Sequence, residues 1–547
     1  MRIIIVGGVA AGMSAATRLR RLSEKDEIIV FEKGPFVSFA NCGLPYHISK
    51  TIKHRSQLIV QTADDLRSRF NIDVRVNSEV THIDRDNKMI SVNHDDQQEK
   101  LYYDKLILSL GSSPVIPKIE GLHTQSNIFQ LRNIPDLDNI MSHLDESIKT
   151  VAVLGAGFIG IEVTENLIKR GFSVNLIERS NQILPNLDIE MAQSITNELI
   201  KNDVRINTGT TINKVSRDIL YLDNGMSIQA DAVIIAAGIR PNSDIAIAAG
   251  LKVGPNKGIV VDHDFKTSDS NIYAIGDVIS VIHQITEQET LIPLAGPANR
   301  HGRQVADAIH GLSIKNKPEI GTSIVKVFSK SAASTGINEK QAKQLGLNYH
   351  VTHTFSYHHA SYYPGATQVM MKLIFTNTGD IIGAQAVGNQ GVDKRIDLLA
   401  TAIKFRLKVD DLPELELTYA PPFGAAKDPV HISGYVAENI INSRSHNIQY
   451  NELENYRRDG YLLIDVRSSQ EIRAMGLING FINIPLEKIR DHINQIPKDT
   501  GIIVSCATGQ RSYTAERIFI NNGFRNVKNL DGAFSLYQLM YPQNIVK

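Results

Sequence analysis

The chain has 547 residues, too many for one hydrophobic core, and its 42% hydrophobic and 21% charged residues describe a globular protein of several domains rather than a disordered or fibrous one. Lys plus Arg and Asp plus Glu each number 58, so net charge gives no reason to expect a nucleic acid or an anionic membrane as partner, and any anion site has to be local. No uninterrupted apolar run reaches the ~20 residues of a membrane-spanning helix, and the first apolar residues lead straight into glycines without a basic leader, so a cytoplasmic protein is expected.

Two stretches share one grammar: a β-branched apolar run, a glycine-rich turn, then a helix with Ala and Leu at helical spacing. The first is Arg2-Ile-Ile-Ile-Val-Gly-Gly-Val-Ala-Ala-Gly12, with a second strand over 27–31 that ends at Glu32. Gly7 and Gly12 keep their places in a dinucleotide loop, while Val9 stands where the middle glycine belongs. Glu32 falls where a carboxylate can meet an adenosine ribose. The second stretch is Val151-Ala-Val-Leu-Gly-Ala-Gly-Phe-Ile-Gly160, followed by a helix through 163–169 and a strand over 173–177. Here Gly155, Gly157 and Gly160 complete G-x-G-x-x-G, which lets the backbone approach a pyrophosphate at the helix N-terminus. Glu178 again takes the ribose position, which favours NADH, although Arg179 could tolerate the 2′-phosphate of NADPH.

Apolar strands stopped by glycine, Leu106 to Gly111 and Ala232 to Gly238, read as exits from these two domains. The run 267–277 ends at Gly276-Asp277, where a backbone N–H and a carboxylate can meet a ribityl phosphate chain, so the first domain resumes after the second is inserted. From about 321 to 438 the pattern becomes alternating strands (369–375, 381–387) and a helix (393–405), an α+β domain. The Asn- and Ser-rich segment 441–450 reads as a linker, and strands over 461–466 and 501–505 open a small C-terminal α/β domain.

Two dinucleotide domains, one inserted in the other, resemble the pyridine-nucleotide disulfide oxidoreductase family over residues 1 to 440. The resemblance implies FAD in the first domain, NADH or NADPH in the second, and an α+β dimerisation domain that makes a homodimer. The expected boundaries are 1–120 and 241–320 for the FAD domain, 121–240 for the NAD(P)H domain, 321–440 for dimerisation and 450–547 for the last domain.

The only cysteines are Cys42 and Cys506, too few and too far apart in sequence for a patterned disulfide framework. Cys42 lies in Ser38-Phe-Ala-Asn-Cys-Gly-Leu-Pro-Tyr46, with no second cysteine nearby to resolve a mixed disulfide, so one thiol carries a mixed disulfide, a persulfide or a sulfenic acid. The Asn41 to Tyr46 motif resembles the single-cysteine coenzyme A disulfide reductase branch. It is joined by His359 to Gly365, Gly391-Val-Asp-Lys-Arg395, Tyr419 to Phe423 and Lys427-Asp428. That resemblance implies that Tyr362 and Tyr419, with Tyr363 the alternative to Tyr362, cover the reactive cysteine of the other subunit. It also assigns coenzyme A, possibly held as a mixed disulfide on Cys42, to Ser14, Arg18, Arg21, Ser38, Asn41, Asn299, Arg300 and Lys427. Arg18 and Arg21, one turn apart, should share a basic face.

Asp465-Val-Arg467, Glu471, Asn483-Ile-Pro485 and Cys506-Ala-Thr-Gly-Gln-Arg-Ser512 resemble a rhodanese domain. Backbone N–H groups of the loop, with Arg511, would stabilise a thiolate or persulfide on Cys506. Leu477 and Tyr537 depart from the His and Trp common there. No metal-ligand pattern stands out. The expected activity is NAD(P)H-dependent reduction of coenzyme A disulfide or persulfide. A peroxidase or oxidase cycling Cys42 through sulfenic acid is the first rival, disfavoured by Ala10 and Ala11 where such enzymes carry His. A sulfurtransferase with a regulatory flavin part is the second.

Overall fold

A computed structural model describes residues 1–94 and 97–547 and divides the chain into two compact units, Met1–Ile183 with Asn202–Gly321, and Leu184–Lys201 with Thr322–Lys547. The architecture is the expected α/β one.

The first unit holds two five-stranded parallel sheets. In one, the strand Arg2–Val6 is central, flanked by Glu27–Phe31 and Lys105–Leu108, with Asp73–Arg75 and Ile272–Ala274 at the edges. In the other, Thr150–Leu154 is central, between Ser173–Glu178 and Ala232–Ile235. The central strands are buried on both faces, as their unbroken Ile and Val runs require. The sequence-distant strand Ile272–Ala274 pairs with Lys105–Leu108, so the first sheet does resume after the second is inserted.

The second unit contains an antiparallel sheet in the order Ser323–Val327, Lys330–Gly336, Ile381–Gly388, Gln368–Thr376, Tyr349–Tyr357. It also contains a parallel sheet formed by Asn447–Ile448, Val527–Leu530, Ile502–Ser505, Leu462–Asp465 and Ile482–Asn483. The segment 441–450 is therefore no free linker. Asn447–Ile448 is already an edge strand, Ser445 donates to buried Glu516 at 2.5 Å, and Asn447 donates to Asp531 at 3.0 Å. Ser445 and Asn447 serve these buried partners, whereas Asn442, Ser443, Arg444 and His446 are exposed.

The helix Ile189–Lys201, in chain order part of the expected 121–240 range, groups with the second unit. Asp188 and Glu190 explain why: both bind the ammonium of Lys372, a side chain fully removed from solvent on the strand Gln368–Thr376. Glu339 joins them at 2.6 Å. These three carboxylates converge as a metal site would, but Lys372 occupies the point of convergence. Next to Lys372 across the sheet, His353 bridges Glu190 (3.0 Å) and Asp531 (2.6 Å). A single buried ionic cluster thus joins this helix, the antiparallel sheet and the C-terminal domain. Among the described residues no helix is long and apolar enough to cross a membrane.

Candidate functional site

Each dinucleotide loop turns because glycine alone tolerates its geometry. Gly7 and Gly155 have φ of +104° and +105°, and a Cβ on Gly12 or Gly160 would lie 1.9 Å from the carbonyl oxygen of Gly7 or Gly155. Gly157 differs: no protein atom lies within 4 Å of where its Cβ would be. That open space is what an approaching pyrophosphate requires.

The helices that follow, Ala10–Leu22 and Phe158–Lys169, have no side-chain cap and no acidic residue in their first turns. Five helices elsewhere carry side-chain caps, from Thr62, Asn133, Asn338, Asp428 and Ser468, while others such as Ala295–Ile309 and Val392–Lys404 do not. Uncapped N–H groups behind a glycine turn are free to bind phosphate. Glu32 accepts from Gly8 N and Gly34 N, both at 2.9 Å, and Glu178 accepts from Ala156 N at 2.8 Å and Ser180 N at 2.7 Å. Both carboxylates are thereby fixed at the loop mouths. Gly276, with φ +77°, opens the turn that carries Asp277, whose Oδ2 accepts from Ser112 and Arg132 at 3.3 Å each. The residues present fit an FAD and a nicotinamide dinucleotide.

Cys42 sits in the short turn Asn41–Gly43 that leads into the helix Leu44–Ile48 and is exposed. Asn41 Oδ1 accepts from Cys42 N at 3.0 Å and lies 3.7 Å from the sulfur. Although the thiol reaches solvent, the surrounding protein desolvates it and pushes its pKa up, and the carboxylate of Glu162 adds to this; Arg132 opposes it. Glu162 accepts from Tyr46 Oη at 3.1 Å, and Ser49 donates to Asn166 at 2.6 Å, so the helix after Cys42 is pinned to the helix of the second glycine loop. Neither Tyr46 nor Glu162 was identified from the sequence. Tyr46 ends the Asn41 to Tyr46 motif, but its partner is 116 residues away.

Gly302 lets the helices Ala10–Leu22 and Ala295–Ile309 approach closely; a Cβ on it would fall 2.3 Å from the Ala11 carbonyl oxygen and 2.7 Å from Ser14 Cβ. This approach brings two expected coenzyme A residues together, with Ser14 Oγ donating to Asn299 Oδ1 at 2.6 Å. Arg18 and Arg21 lie on one helix, where Arg18 is half-buried and paired with Asp307 at 2.6 Å and Arg21 is exposed. Arg300 pairs with Glu319, a buried carboxylate that also meets His301. Ser38, with φ +46°, is half-buried.

In the second unit Tyr362 and Tyr419 are exposed and their hydroxyls meet at 3.1 Å. Tyr363 instead stacks edge-on against His359. Lys427 is exposed, beside the buried Asp428. Cys506 ends the strand Ile502–Ser505 and is buried; its sulfur accepts from Gly509 N at 3.1 Å and Ser512 Oγ at 3.4 Å. Arg511 feels the charge of anionic Cys506 and also has a carboxylate partner. It forks onto Glu471 with two bonds of 2.7 Å, and this holds the Glu471 carboxyl down at about 2. Hydrogen-bond donors at the sulfur and the nearby Arg511 are both available to anionic sulfur here.

The profile of the pyridine nucleotide-disulphide oxidoreductase family matches residues 1–302, its dimerisation domain 322–428, and a rhodanese-like domain 449–539. The chain belongs to the pyridine nucleotide-disulphide oxidoreductase family. As a member of this family it is a flavoprotein reductase that takes FAD and NAD(P)H. It is 35% identical to coenzyme A disulfide reductase of Staphylococcus aureus over 80% of this chain and the whole of that one. The reduced CoADR-RHD of Bacillus anthracis superimposes with a TM-score of 0.98 at 45% identity, covering 100% of this oxidoreductase and 99% of that chain. An NAD-dependent persulfide reductase from A. fulgidus gives 0.93 at 35% identity, covering 98% and 100%.

Proposed function

We propose that this oxidoreductase reduces coenzyme A disulfide and coenzyme A persulfide with NAD(P)H through the single thiol Cys42, and that Cys506 handles sulfane sulfur. The observation that carries this reading is a lone exposed cysteine in the Asn41 to Tyr46 motif, within the unit that holds both dinucleotide loops, in a chain whose C-terminal domain has its own sulfur-binding loop.

The Cys42 thiolate attacks the disulfide, forming the Cys42–S–S–coenzyme A bond and releasing one coenzyme A thiolate; with a persulfide the leaving group is hydrosulfide. When bound, FAD supplies two electrons taken from NAD(P)H, which cleave the mixed disulfide to the Cys42 thiolate and a second coenzyme A thiolate. Asn41 orients the Cys42 turn through its N–H. Tyr362 and Tyr419 offer phenol protons to the departing thiolates at Cys42 of the partner subunit, consistent with the dimerisation domain. Ser14 and Asn299 form one polar pair for coenzyme A, Arg21 and Lys427 are exposed charges assigned to its phosphates, and Ser38, Asn41, Arg18 and Arg300 complete the residues assigned to it. Gly7, Gly12, Glu32, Gly276 and Asp277 serve FAD; Gly155, Gly157, Gly160 and Glu178 serve the nicotinamide dinucleotide. The domain ranges 1–120, 121–240, 241–320, 321–440 and 450–547 go with these roles, as does a cytoplasmic location, which suits two free thiols.

The test is anaerobic NADH oxidation with each substrate by the parent, Cys42→Ser and Cys506→Ser. Loss of both activities in Cys42→Ser, with persulfide turnover alone impaired in Cys506→Ser, supports the reading. Turnover with peroxide but with neither thiol substrate refutes it.

A further inference from the structure

Arg395 carries no role in the mechanism above, yet with Arg467 it is one of two arginines fully buried in the second unit among the described residues, at 1% exposure on the helix Val392–Lys404. Its guanidinium has four bonds. Two run to Asp428, Nε to Oδ1 at 3.2 Å and Nη2 to Oδ2 at 2.6 Å. The others run to backbone carbonyls, Nη2 to His358 O at 2.7 Å and Nη1 to Gly391 O at 3.2 Å. A Cβ on Gly391, which has φ +72°, would lie 2.4 Å from Nη1, so the glycine that opens this helix makes room for the fork.

His358 and Asp428 are the feet of two loops. The loop from His358 to Thr367 carries Tyr362, and its ends are tied by His358 N donating to Thr367 O at 3.0 Å. The loop from Tyr419 to Asp428 ends where Asp428 caps the helix Pro429–Ile441 through Val430 N at 3.1 Å. Between them Ala360 N donates to Gly424 O at 2.9 Å, and at their tips the hydroxyls of Tyr362 and Tyr419 meet. Beneath the first loop, His359 Nδ1 lies 2.7 Å from His358 Nε2, and His359 Nε2 lies 3.3 Å from the Tyr363 carbonyl oxygen. One buried guanidinium therefore fixes the roots of both tyrosine loops at once, while both phenols remain exposed. A planar fork is suited to this because it holds a carboxylate and a carbonyl in fixed relative directions.

We propose that Arg395, through Asp428 and the His358 carbonyl, is a positioning residue that holds Tyr362 and Tyr419 as one preorganised pair of phenols for the thiolate leaving group. This rests on the reading that the two tyrosines serve the substrate sulfur. Hydrogen bonding to Tyr419 pushes the Tyr362 phenol up, which keeps it protonated and able to donate. Preorganisation acts on kcat, since a displaced donor leaves substrate binding in place but misses the departing sulfur.

The experiment uses the FAD-loaded dimer and four variants: Arg395→Lys, Arg395→Met, Tyr362→Phe with Tyr419→Phe, and that pair with Arg395→Lys. Each is assayed for coenzyme A disulfide reduction and for NADH–ferricyanide turnover, which needs neither tyrosine. Arg395→Lys keeps a cation against Asp428 but cannot fork, so it is the variant expected to fold most readily and still to be impaired. The expected result is a kcat for coenzyme A disulfide lowered about 10- to 100-fold with KM little changed and ferricyanide turnover retained. In the double-Phe background the same substitution is expected to cost less than about twofold, because its route to the substrate is already gone. A full additional loss in that background, or ferricyanide turnover falling in parallel, overturns the proposal. Parent-like kcat in the double-Phe protein overturns the tyrosine reading itself and leaves the role of Cys42 standing.

Discussion

His353 is the place where pH should act on the stability of the second unit. Its ring is wholly buried between Glu190 and Asp531, and although desolvation opposes the charged form, hydrogen bonds to Asp531 and Glu190 raise its pKa to about 9. Lys372 is its cross-strand neighbour, Asp188 and Glu339 complete the cluster, and Tyr450 donates to Glu190 at 3.4 Å. A histidine raised from 6.5 to about 9 contributes stability that is fully present below pH 6.5 and lost as pH rises towards 9. At 1.36 kcal/mol per unit this is about 3 kcal/mol, or about 6–12 °C in the melting of a unit this size. At the acid end the signs reverse: Glu190 and Glu339 are held below their ordinary range by Lys372, so their contribution is lost as pH falls. The assay is calorimetric unfolding of the parent and His353→Gln between pH 6 and pH 9.5. The parent should lose stability across this window and the variant should not. Equal slopes in the two proteins would refute the reasoning.

Glu162→Gln should lower the pKa of the Cys42 thiol, because a carboxylate that disfavours the thiolate is removed while the burial that dominates stays; alkylation rate against pH measures it. Gly157→Val should abolish NADH binding with little change in thermal stability, since no protein atom is near its Cβ, whereas Gly160→Ala should destabilise the protein by about 1–3 kcal/mol through the clash with the Gly155 carbonyl. Isothermal titration and thermal melts separate the two. Glu471→Gln should raise thiosulfate sulfurtransferase turnover at Cys506, because the Arg511 fork then loses its charged partner and the cation can face anionic sulfur; unchanged turnover would show that Arg511 serves only the fold.

Features written in local pattern were legible from the sequence. The glycine loops, the strands at Arg2–Val6 and Thr150–Leu154 and the cysteine loop before Gln510–Asn521 each depend on residues within a few positions. What was missed depends on partners far along the chain. Arg18 looks like half of a basic face until Asp307, 289 residues on, takes it. The Arg511–Glu471 fork joins residues 40 apart, and nothing local announces it. Segment 441–450 looks like a linker because the partners of Ser445 and Asn447, Glu516 and Asp531, are brought near only by the folded sheet. The helix Ile189–Lys201 follows the rhythm of a dinucleotide domain, yet Asp188 and Glu190 bind it to Lys372, 182 or more residues later.

The central claim is that Cys42 holds the substrate's coenzyme A. Intact-protein mass spectrometry after exposure of the oxidised protein to coenzyme A disulfide, before and after anaerobic NADH, tests it directly. About one coenzyme A per subunit is expected, located on Cys42 by peptide mapping, released as free thiol by NADH and absent in Cys42→Ser. An adduct that NADH does not release, or turnover without any adduct at Cys42, would contradict it.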